Sequence, residues 1–275
     1  MVGIGIISYN PNLKTIKHNL DICVNENVDI VIIDNNSNNI NQLLELVSKY
    51  KNVNCIKNEY NKGVATALNQ IMRYFEKLHL DWVLTFDQDS IISSNLISTL
   101  YNYKNIELAG VISPRIKYIS NIEENNIYKS DIEEIEWCIT SGSLTNMKAW
   151  KDVGGFDENL FIDFVDTDFC YRIKAKEYKI YRVNHIELNH QLGNLKIINF
   201  FGKKIRVMNH NSSRKYYYTR NSIICFKKNS NDYPKGKMIR TIFLLSIKTI
   251  LFEKDKVNKI KMIIKGIRDG IYYQL

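Results

Sequence analysis

Short apolar runs alternate with segments of helical periodicity through the first 118 residues of this 275-residue chain. Residues 2–9, 29–34 and 53–57 are rich in β-branched side chains and predict strands. Residues 40–50 and 63–78 carry apolar side chains at helical spacing. Because successive parallel strands need crossover connections, this order predicts an α/β fold. We expect a Rossmann-type, mainly parallel sheet flanked by helices.

The same patterns extend the alternation and then change after residue 118. They predict helices at 13–23, 95–103 and 166–177, and strands ending near Asp87 and at 110–116, 135–140 and 180–183. Neither a Gly-x-Gly-x-x-Gly fingerprint nor a Walker loop occurs, which disfavours a dinucleotide dehydrogenase or a P-loop enzyme. We predict one domain at residues 1–193 and a basic, mostly helical C-terminal extension at residues 194–275.

The net charge of +9 is distributed unevenly along the chain. Residues 196–275 contain 19 basic and 4 acidic side chains, whereas residues 1–195 carry a net charge of −6. Such a basic segment suits nucleic acid or an anionic membrane surface, or it is simply a solvated face. Residues 238–252 are apolar but contain Arg240 and Lys248, so they are too short and too charged to span a bilayer. They predict either a core helix or an interfacial amphipathic helix.

The five cysteines are scattered, without paired short spacings. This argues against a zinc cage or a disulfide framework and favours a reducing compartment. The N-terminal residues show no basic leader and no small-residue cleavage pattern. We therefore expect a cytoplasmic protein.

An acidic pair ends one of the predicted strands, in the sequence Asp87-Gln88-Asp89. If the strand continues through both acids, their side chains project to the same side of the sheet. Ligands of open α/β sheets bind at the carboxyl ends of strands. Two carboxylates this close favour a hard cation such as Mg²⁺ or Mn²⁺, which commonly bridges phosphates. The alternative is that both acids are exposed turn residues.

Polar side chains also follow the first two predicted strands and begin a predicted helix. Their sequences are Ser8-Tyr9-Asn10, Asp34-Asn35 and Asn61-Lys62-Gly63. A helix N-terminus favours negative charge, so a diphosphate would be stabilised near residue 63. The alternative is that these residues are turn formers and helix caps, which Asn, Asp and Ser commonly are.

Together with two later motifs, these segments resemble the inverting, GT-A type nucleotide-sugar glycosyltransferases of family 2. The later motifs are Gly154-Gly155-Phe156-Asp157-Glu158 and the run Phe-Ile-Asp-Phe-Val-Asp-Thr-Asp-Phe-Cys-Tyr-Arg at 161–172. The resemblance covers roughly residues 2–193. It is closer to the bacterial rhamnosyltransferase subgroup, because of Asp-Gln-Asp, the 161–172 run and two segments at 214–221 and 265–270.

The resemblance implies specific roles for these residues. The nucleotide sugar would contact Ser8, Tyr9, Asn10, Asp34, Asn35, Asn61, Lys62, Gly63, Asp87 and Gln88. Asp89 would be the direct ligand of Mg²⁺ or Mn²⁺, with Asp87 in support and His190 as a third ligand; His185 is the reserve. Donor and acceptor sugars would meet Trp137, Ser141 and Gly142, and also Arg214, Tyr217 and Arg220 from a C-terminal flap.

Inverting transfer also needs a base that faces the anomeric carbon from the acceptor side. The acids at 163 and 166 share a face if the segment is helical. We predict Asp166 as the base, with Asp163 as the second choice. Val165 stands where many family members carry an acid.

The function implied is transfer of L-rhamnose from dTDP-rhamnose to a lipid-linked glycan, for capsular or cell-wall polysaccharide synthesis. We expect the enzyme at the inner face of the cell membrane, and an apolar C-terminal helix also allows a homodimer. Alternatives are a UDP-sugar donor or a non-catalytic, membrane-associated assembly partner. Nucleic-acid binding by the basic segment is disfavoured, because the segment contains no recognised nucleic-acid module.

Overall fold

The computed structural model describes residues 1–24, 28–118, 130–190, 196–200 and 202–275. The chain divides into two units. The first comprises Met1–Asn159 and Phe169–Gln191, and the second comprises Leu160–Asp168 and Leu192–Leu275. The predicted boundary at residue 193 lies outside the described residues, so that division of the chain stays a prediction.

The first unit is built on a nine-stranded sheet with the order β3-β2-β1-β4-β8-β6-β9-β5, and β7 also pairs with β9. Its strands are β1 (Val2–Ser8), β2 (Ile30–Asp34), β3 (Val53–Lys57), β4 (Trp82–Asp87), β5 (Ser90–Ile91), β6 (Ala109–Tyr118), β7 (Ile132–Glu134), β8 (Ser143–Asn146) and β9 (Lys179–His190). Pairing is parallel from β3 through β4 and between β6 and β9, and antiparallel around β8, β5 and β7. The predicted α/β class with a mainly parallel sheet is confirmed.

Helices alternate with the strands of the sheet and form most of the C-terminal part of the chain. They are α1 (Leu13–Val24), α2 (Ile40–Val47), α3 (Gly63–Lys77), α4 (Leu96–Tyr101), α5 (Met147–Asp152), α6 (Val165–Lys174), α7 (Ser212–Lys228), α8 (Lys235–Phe252) and α9 (Lys256–Tyr272). Glu158–Leu160 adds a 3-10 turn, and β10 (Lys196–Phe200) pairs with β11 (Lys203–Val207) as a hairpin.

The parallel half of the sheet is fully buried where it meets α3. Strands β1 and β2 bury every residue, which is why both read as continuous apolar runs. A Cβ atom on Gly5 would lie 2.2 Å from Cγ2 of Ile71 on α3. Glycine at this position therefore lets the helix approach the strand closely.

Two predicted elements of the second half of the sheet differ from the structure. Residues 135–140 form no strand: after the hydrogen bond from Ile135 N to Ile180 O, the chain leaves β7. Thr140 O instead accepts from Thr85 Oγ1 at 2.7 Å, which draws the segment into a loop. An apolar run needs a free sheet edge to become a strand, and here β8 occupies the edge of β4. The strand predicted at 180–183 extends to His190 as β9.

The second unit buries a charged cluster among its helices. Glu253 accepts from Lys215 at 2.6 Å and from Lys259 at 2.9 Å, and all three side chains are buried. Burial works to raise the pKa of Glu253, but the two lysine hydrogen bonds outweigh it and lower the pKa. Burial lowers the pKa of Lys215. The cluster ties α7 to α9 and to the end of α8.

Helix α8 buries only Thr249 and exposes much of its apolar surface. Ile239, Phe243 and Ile250 are each exposed by half or more. The core-helix alternative for this segment is therefore wrong in the isolated chain. In the part of the chain that the structure describes, no helix combines the length and the apolar character needed to cross a membrane.

Candidate active site

The carboxyl ends of β1 and β2 are joined by a buried carboxylate. Asp34 is fully buried, and its Oδ1 accepts from Ser8 Oγ at 2.9 Å. Its Oδ2 accepts from the backbone N–H of Ser37 at 2.8 Å, and the Ser37 hydroxyl also donates to Oδ1. Asp34 and Ser8 thus hold the two strand ends together from beneath.

Tyr9 and Asn10 are exposed at this edge. Asn10 adopts a left-handed backbone conformation with φ 52°. Its N–H donates to Ser37 Oγ at 2.7 Å, and its Oδ1 accepts from the N–H of Asn38 at 2.8 Å. The turn after β1 is therefore locked to the turn after β2, with Tyr9 presented outward.

The N-terminus of α3 lies beside the end of β2. Asn35 is buried and donates from Nδ2 to Gly63 O at 3.2 Å. Its Oδ1 accepts from the N–H of Lys62 at 3.4 Å, and Asn61 Oδ1 accepts from the N–H of Gly63 at 2.9 Å. The side chain of Lys62 stands over the ring of Tyr60 at 5.5 Å. This edge thus combines a helix N-terminus with the nearby cation of Lys62, and both favour the binding of an anion.

The acidic pair is divided between a strand and a turn. Strand β4 ends at Asp87, whereas Asp89 lies in the turn before β5. The prediction that strand alternation aligns both side chains is therefore wrong, because alternation applies only within the strand. Gln88 Oε1 accepts from the N–H of Tyr9 at 2.6 Å, which joins this turn to the end of β1.

Ser141 supports the acidic turn from the interior. It is buried, accepts from the N–H of Asp87 at 3.0 Å and shares a hydrogen bond of 2.6 Å with the Ser90 hydroxyl. Gly142 follows with φ 78°, and a Cβ there would lie 2.6 Å from Cδ2 of Leu188. Ser141 thus braces the turn from within, and Gly142 donates its N–H to Thr85 O of β4 at 2.7 Å. Trp137 is about half exposed, at 49%.

A buried asparagine that the sequence analysis did not identify holds the other side of this turn. Asn19 on α1 donates to Ser90 O at 2.8 Å and accepts from the N–H of Ile92 at 3.1 Å. Its signal in the sequence is a polar residue on the apolar face of α1, next to Leu20. Such a residue is buried only when it has partners.

The chemistry of the donor set at this turn fits a hard divalent cation. Asp87 and Asp89 supply carboxylate oxygens, which Mg²⁺ and Mn²⁺ prefer. Within the described residues, no group of three or more His, Cys, Asp or Glu side chains converges on a metal position. Two carboxylates suffice for an ion that completes its shell with water and substrate phosphate oxygens.

The two histidines predicted near the metal lie on β9. Its last residue, His190, pairs with Ser90 of β5, so its backbone is next to the acidic turn. The side chain of His190 lies outside the described part of the chain, and its ligand role stays a prediction. His185 is five residues earlier, roughly 17 Å along the strand, and its ring lies 6.1 Å from that of Tyr103.

The acidic segment of the second unit has a strained backbone. Phe161, Asp163 and Phe164 all adopt left-handed conformations, with φ of 62°, 62° and 65°. Such conformations cost of order 1–3 kcal/mol each in non-glycine residues and persist only where surrounding contacts impose them. Helix α6 begins at Val165, so the prediction that Asp163 and Asp166 share a helical face is wrong.

One face of α7 supplies the contacts that impose this backbone. Arg214 binds both oxygens of Asp163, with distances of 2.9–3.2 Å. The ring of Tyr217 stacks on Phe161 at 4.7 Å, and that of Tyr218 meets Phe164 edge-on at 5.2 Å. Asn221 donates to backbone carbonyls of the same segment. The contacting residues on α7 are Arg214, Tyr217, Tyr218 and Asn221, spaced i, i+3, i+4 and i+7.

Arg220 extends this arrangement along α7. Its Nε donates to Asn221 Oδ1 at 3.0 Å, and its guanidinium lies over the rings of Tyr216 and Tyr217 at 5.6 and 5.1 Å. Asp166, in the first turn of α6, accepts at Oδ1 from the N–H of Thr167 at 2.8 Å. The predicted sugar-contacting residues Arg214, Tyr217 and Arg220 thus all have partners within the second unit.

Burial shifts the pKa values of two groups near the acidic segment. It raises the pKa of Tyr218 to about 12, with Tyr233, Asp163 and Asp166 adding to the shift. The phenol therefore stays protonated at neutral pH. Burial, assisted by the charge of Arg214, lowers the pKa of His210 to about 4, so this imidazole is neutral at pH 7.

Comparison with known proteins identifies a curated relative that matches almost the whole chain. The chain is 29% identical to "dTDP-rhamnosyl transferase RfbF" of Shigella flexneri in a 289-residue alignment. The alignment covers 97% of this chain and 94% of that protein.

Solved structures share the fold at much lower identity. The S. aureus TarS 1-349 complex with UDP-GlcNAc matches with a TM-score of 0.63 and 14% identity, covering 98% of this chain and 80% of that one. The mannosyltransferase PcManGT from Pyrobaculum calidifontis, in complex with GDP-Man and Mn²⁺, matches with a TM-score of 0.61 and 10% identity, covering 98% and 87%. These likenesses confirm the predicted GT-A fold. The model of the family described as "Glycosyl transferase family 2" matches residues 4–171, and the chain therefore belongs to that family.

Proposed function

We propose that this glycosyltransferase transfers L-rhamnose from dTDP-L-rhamnose, with inversion, to a glycan acceptor. The observation that carries the proposal is the 29% identity to a dTDP-rhamnosyl transferase over nearly the full length of both chains. The acidic turn at the carboxyl end of β4 supports it, because open α/β sheets bind their ligands at that edge.

The nucleotide would bind across the carboxyl ends of β1 and β2. Tyr9 and Asn10 are exposed there, and the N-terminus of α3 offers backbone N–H groups to a diphosphate. Ser8, Asp34 and Asn35 are buried and fully engaged with neighbouring groups, so their contribution is to shape this edge.

A divalent cation, Mg²⁺ or Mn²⁺, would be held by Asp89, with Asp87 beside it. When bound, such an ion neutralises the charge that develops on a departing diphosphate. PcManGT, which shares the fold, was solved with Mn²⁺. His190 is the proposed third ligand, since its backbone pairs with Ser90 next to Asp89.

The base in this proposal is Asp166. A base must accept the proton of the acceptor hydroxyl, and Asp163 has both oxygens bound to Arg214. Asp166 lies in the first turn of α6 and is half-buried. Asp163 is therefore assigned a structural role, and Asp166 is assigned the role of proton acceptor.

The acceptor in this proposal is a lipid-linked glycan, and the partner surface is an anionic membrane at the cytoplasmic side. Exposed apolar side chains on α8 are Ile239, Phe243, Leu244, Ile250 and Leu251. Basic residues occur at both ends of that helix, including Lys235, Lys237, Lys254 and Lys256. Apolar area next to positive charge is what an interfacial helix uses to bind anionic lipid.

Vesicle flotation tests the membrane part separately. The full chain should float with anionic vesicles at low salt and remain behind with neutral ones. Phe243→Ser should weaken flotation, whereas Leu44→Ser, an exposed apolar residue on α2, should leave it unchanged. No binding of the unmodified chain to anionic vesicles would refute the membrane part of the proposal. A homodimer contact would then be the remaining proposal for the apolar face of α8.

Donor identity is tested by measuring nucleoside diphosphate release. The purified chain is incubated with Mn²⁺ or Mg²⁺ and a panel of dTDP-, UDP- and GDP-sugars. Release from dTDP-L-rhamnose above all others supports the proposal. Preference for a UDP-sugar would establish the alternative donor, and absence of release with every donor would favour a non-catalytic assembly partner.

A further inference from the structure

We infer that Asn221 is a positioning residue for transfer: it holds the acidic segment, residues 160–166, in its strained, proton-accepting arrangement. The inference rests on the proposed function, because Asp166 is the base of that proposal. Asn221 lies on α7 and is fully buried. It is not among the residues assigned above to nucleotide, metal or sugar.

The contacts of Asn221 are concentrated on one short segment. Its Nδ2 donates to the carbonyls of Leu160 at 2.6 Å, Ile162 at 2.8 Å and Asp163 at 3.0 Å. Three carbonyls of a four-residue stretch converge on one amide only if the backbone curls around it. The left-handed φ values of Phe161 and Asp163 produce that curl.

The amide suits this task because its Nδ2 carries two hydrogens, which the three carbonyl oxygens share. The Oδ1 atom of Asn221 accepts from Nε of Arg220, which fixes the amide orientation. Nδ2 therefore points toward the segment.

The other contacts from α7 hold side chains, whereas Asn221 holds the backbone. Arg214 and Tyr217 engage the side chains of Asp163 and Phe161. Helix α6 starts at Val165, directly after the curl, so the curl sets where its first turn and Asp166 begin. Without Asn221, the strained residues would relax and displace the start of that helix.

Asn221→Leu tests the inference, since leucine preserves volume but donates no hydrogen bond. The probe is Mn²⁺-dependent dTDP release from dTDP-L-rhamnose without acceptor, in which water takes the place of the acceptor hydroxyl. We expect kcat to fall at least tenfold while KM for the donor changes less than threefold, because the proposed nucleotide contacts lie in the first unit. The matched control is Ser222→Ala, which removes a buried hydroxyl bound to Tyr233 from the same helix; its kcat should stay within twofold.

A second readout keeps the inference testable whether or not the variant is active. Amide hydrogen exchange in the peptide covering residues 160–168 should quicken at least tenfold in Asn221→Leu and stay unchanged in Ser222→Ala. Unaltered exchange, unaltered kcat, or an equal loss of kcat in Ser222→Ala would overturn the inference. If the unmodified chain releases no nucleotide from any donor, the proposed function fails instead, and the exchange data alone decide whether Asn221 holds the segment.

Discussion

The carboxyl edge of the sheet in the first unit, where β1, β2 and β4 end, and the acidic segment of the second unit hold their acids in different ways. At the edge, Asp87 ends a parallel strand whose neighbours fix its place, and Ser141 and Asn19 brace the turn that follows. In the acidic segment, Phe161, Asp163 and Phe164 adopt left-handed backbone conformations that one face of α7 imposes. Both regions depend on contacts that are distant in sequence, since Ser141 lies 54 positions from Asp87 and Asn221 lies 59 positions from Ile162. The difference is that the edge begins from regular strand geometry, whereas the segment needs its contacts to hold a strained backbone. Removal of a proposed ligand at the edge should therefore affect chemistry alone, whereas removal of a contact that holds the segment should affect chemistry and order together.

The largest effect is expected at the edge, from Asp89→Ala. Removal of the proposed metal ligand should lower kcat for dTDP release about 10³-fold, roughly 4 kcal/mol in the barrier, with an unchanged unfolding midpoint. The control is Asp81→Asn, an exposed acid preceding the opposite end of β4. Steady-state kinetics with and without Mn²⁺ measure this loss of kcat. Full metal-dependent turnover in Asp89→Ala would mean that the ion is held elsewhere.

Next comes a stability effect confined to the second unit, from Glu253→Gln. The substitution leaves Lys215 and Lys259 buried without their counter-charge, which should cost about 3 kcal/mol of the free energy of unfolding. Urea denaturation followed by fluorescence measures it, and Lys17→Gln, in an exposed ion pair with Asp21, should change stability by less than about 1 kcal/mol. Equal stability of the two variants would show that the second unit does not rely on this cluster.

The two acids of the segment, Asp163 and Asp166, should differ in their effects on kcat and on stability, and these effects are smaller. Asp166→Asn should reduce kcat about 10²-fold without loss of stability, because general-base catalysis contributes at least that much. Asp163→Asn should reduce kcat less and also lower the unfolding midpoint, since it breaks the pair with Arg214. Parallel kinetics and thermal melts distinguish the roles. The reverse ranking of kcat would assign the base to Asp163.

The smallest effect is a pH dependence of stability from His210. Its pKa is about 4 in the folded chain against an ordinary value of 6.5, so the unfolded chain binds more protons between these values. This contribution to stability is complete above pH 6.5 and is lost as the pH falls toward 4. Between pH 7.5 and 5, the unmodified chain should lose roughly 1–2 kcal/mol more than His210→Gln. Identical pH profiles of urea unfolding would show that His210 is not buried as described.

The carboxyl edge of the sheet could be predicted because strands of a parallel sheet end together. The runs ending at Ser8, Asp34 and Asp87 were apparent from β-branched composition, and their order along the chain fixed the class of fold. The limit of that reasoning appears at Asp89, which lies two residues beyond the strand in a turn. Alternation along a strand cannot say where a strand stops.

Buried asparagines were not found from sequence because their partners are remote. Asn19, Asn69 and Asn221 each lie on a helix and bind a loop far along the chain. Asn69, for example, accepts from the N–H of Phe156 and from Trp150 Nε1. A polar residue on an apolar helical face signals such a role, but it does not reveal which loop it binds.

The sequence by itself determined the α/β class, the family, the strand ends that form the carboxyl edge of the sheet and the basic character of the C-terminal part. It did so because periodicity, strand-end motifs and charge are local properties of the chain. Only the tertiary structure decided that Asp34 is a buried brace, that Asp163 is bound to Arg214 and that the acidic segment is held in left-handed conformations. Those facts depend on which surfaces meet, and long-range packing energy, rather than local propensity, stabilises a strained backbone.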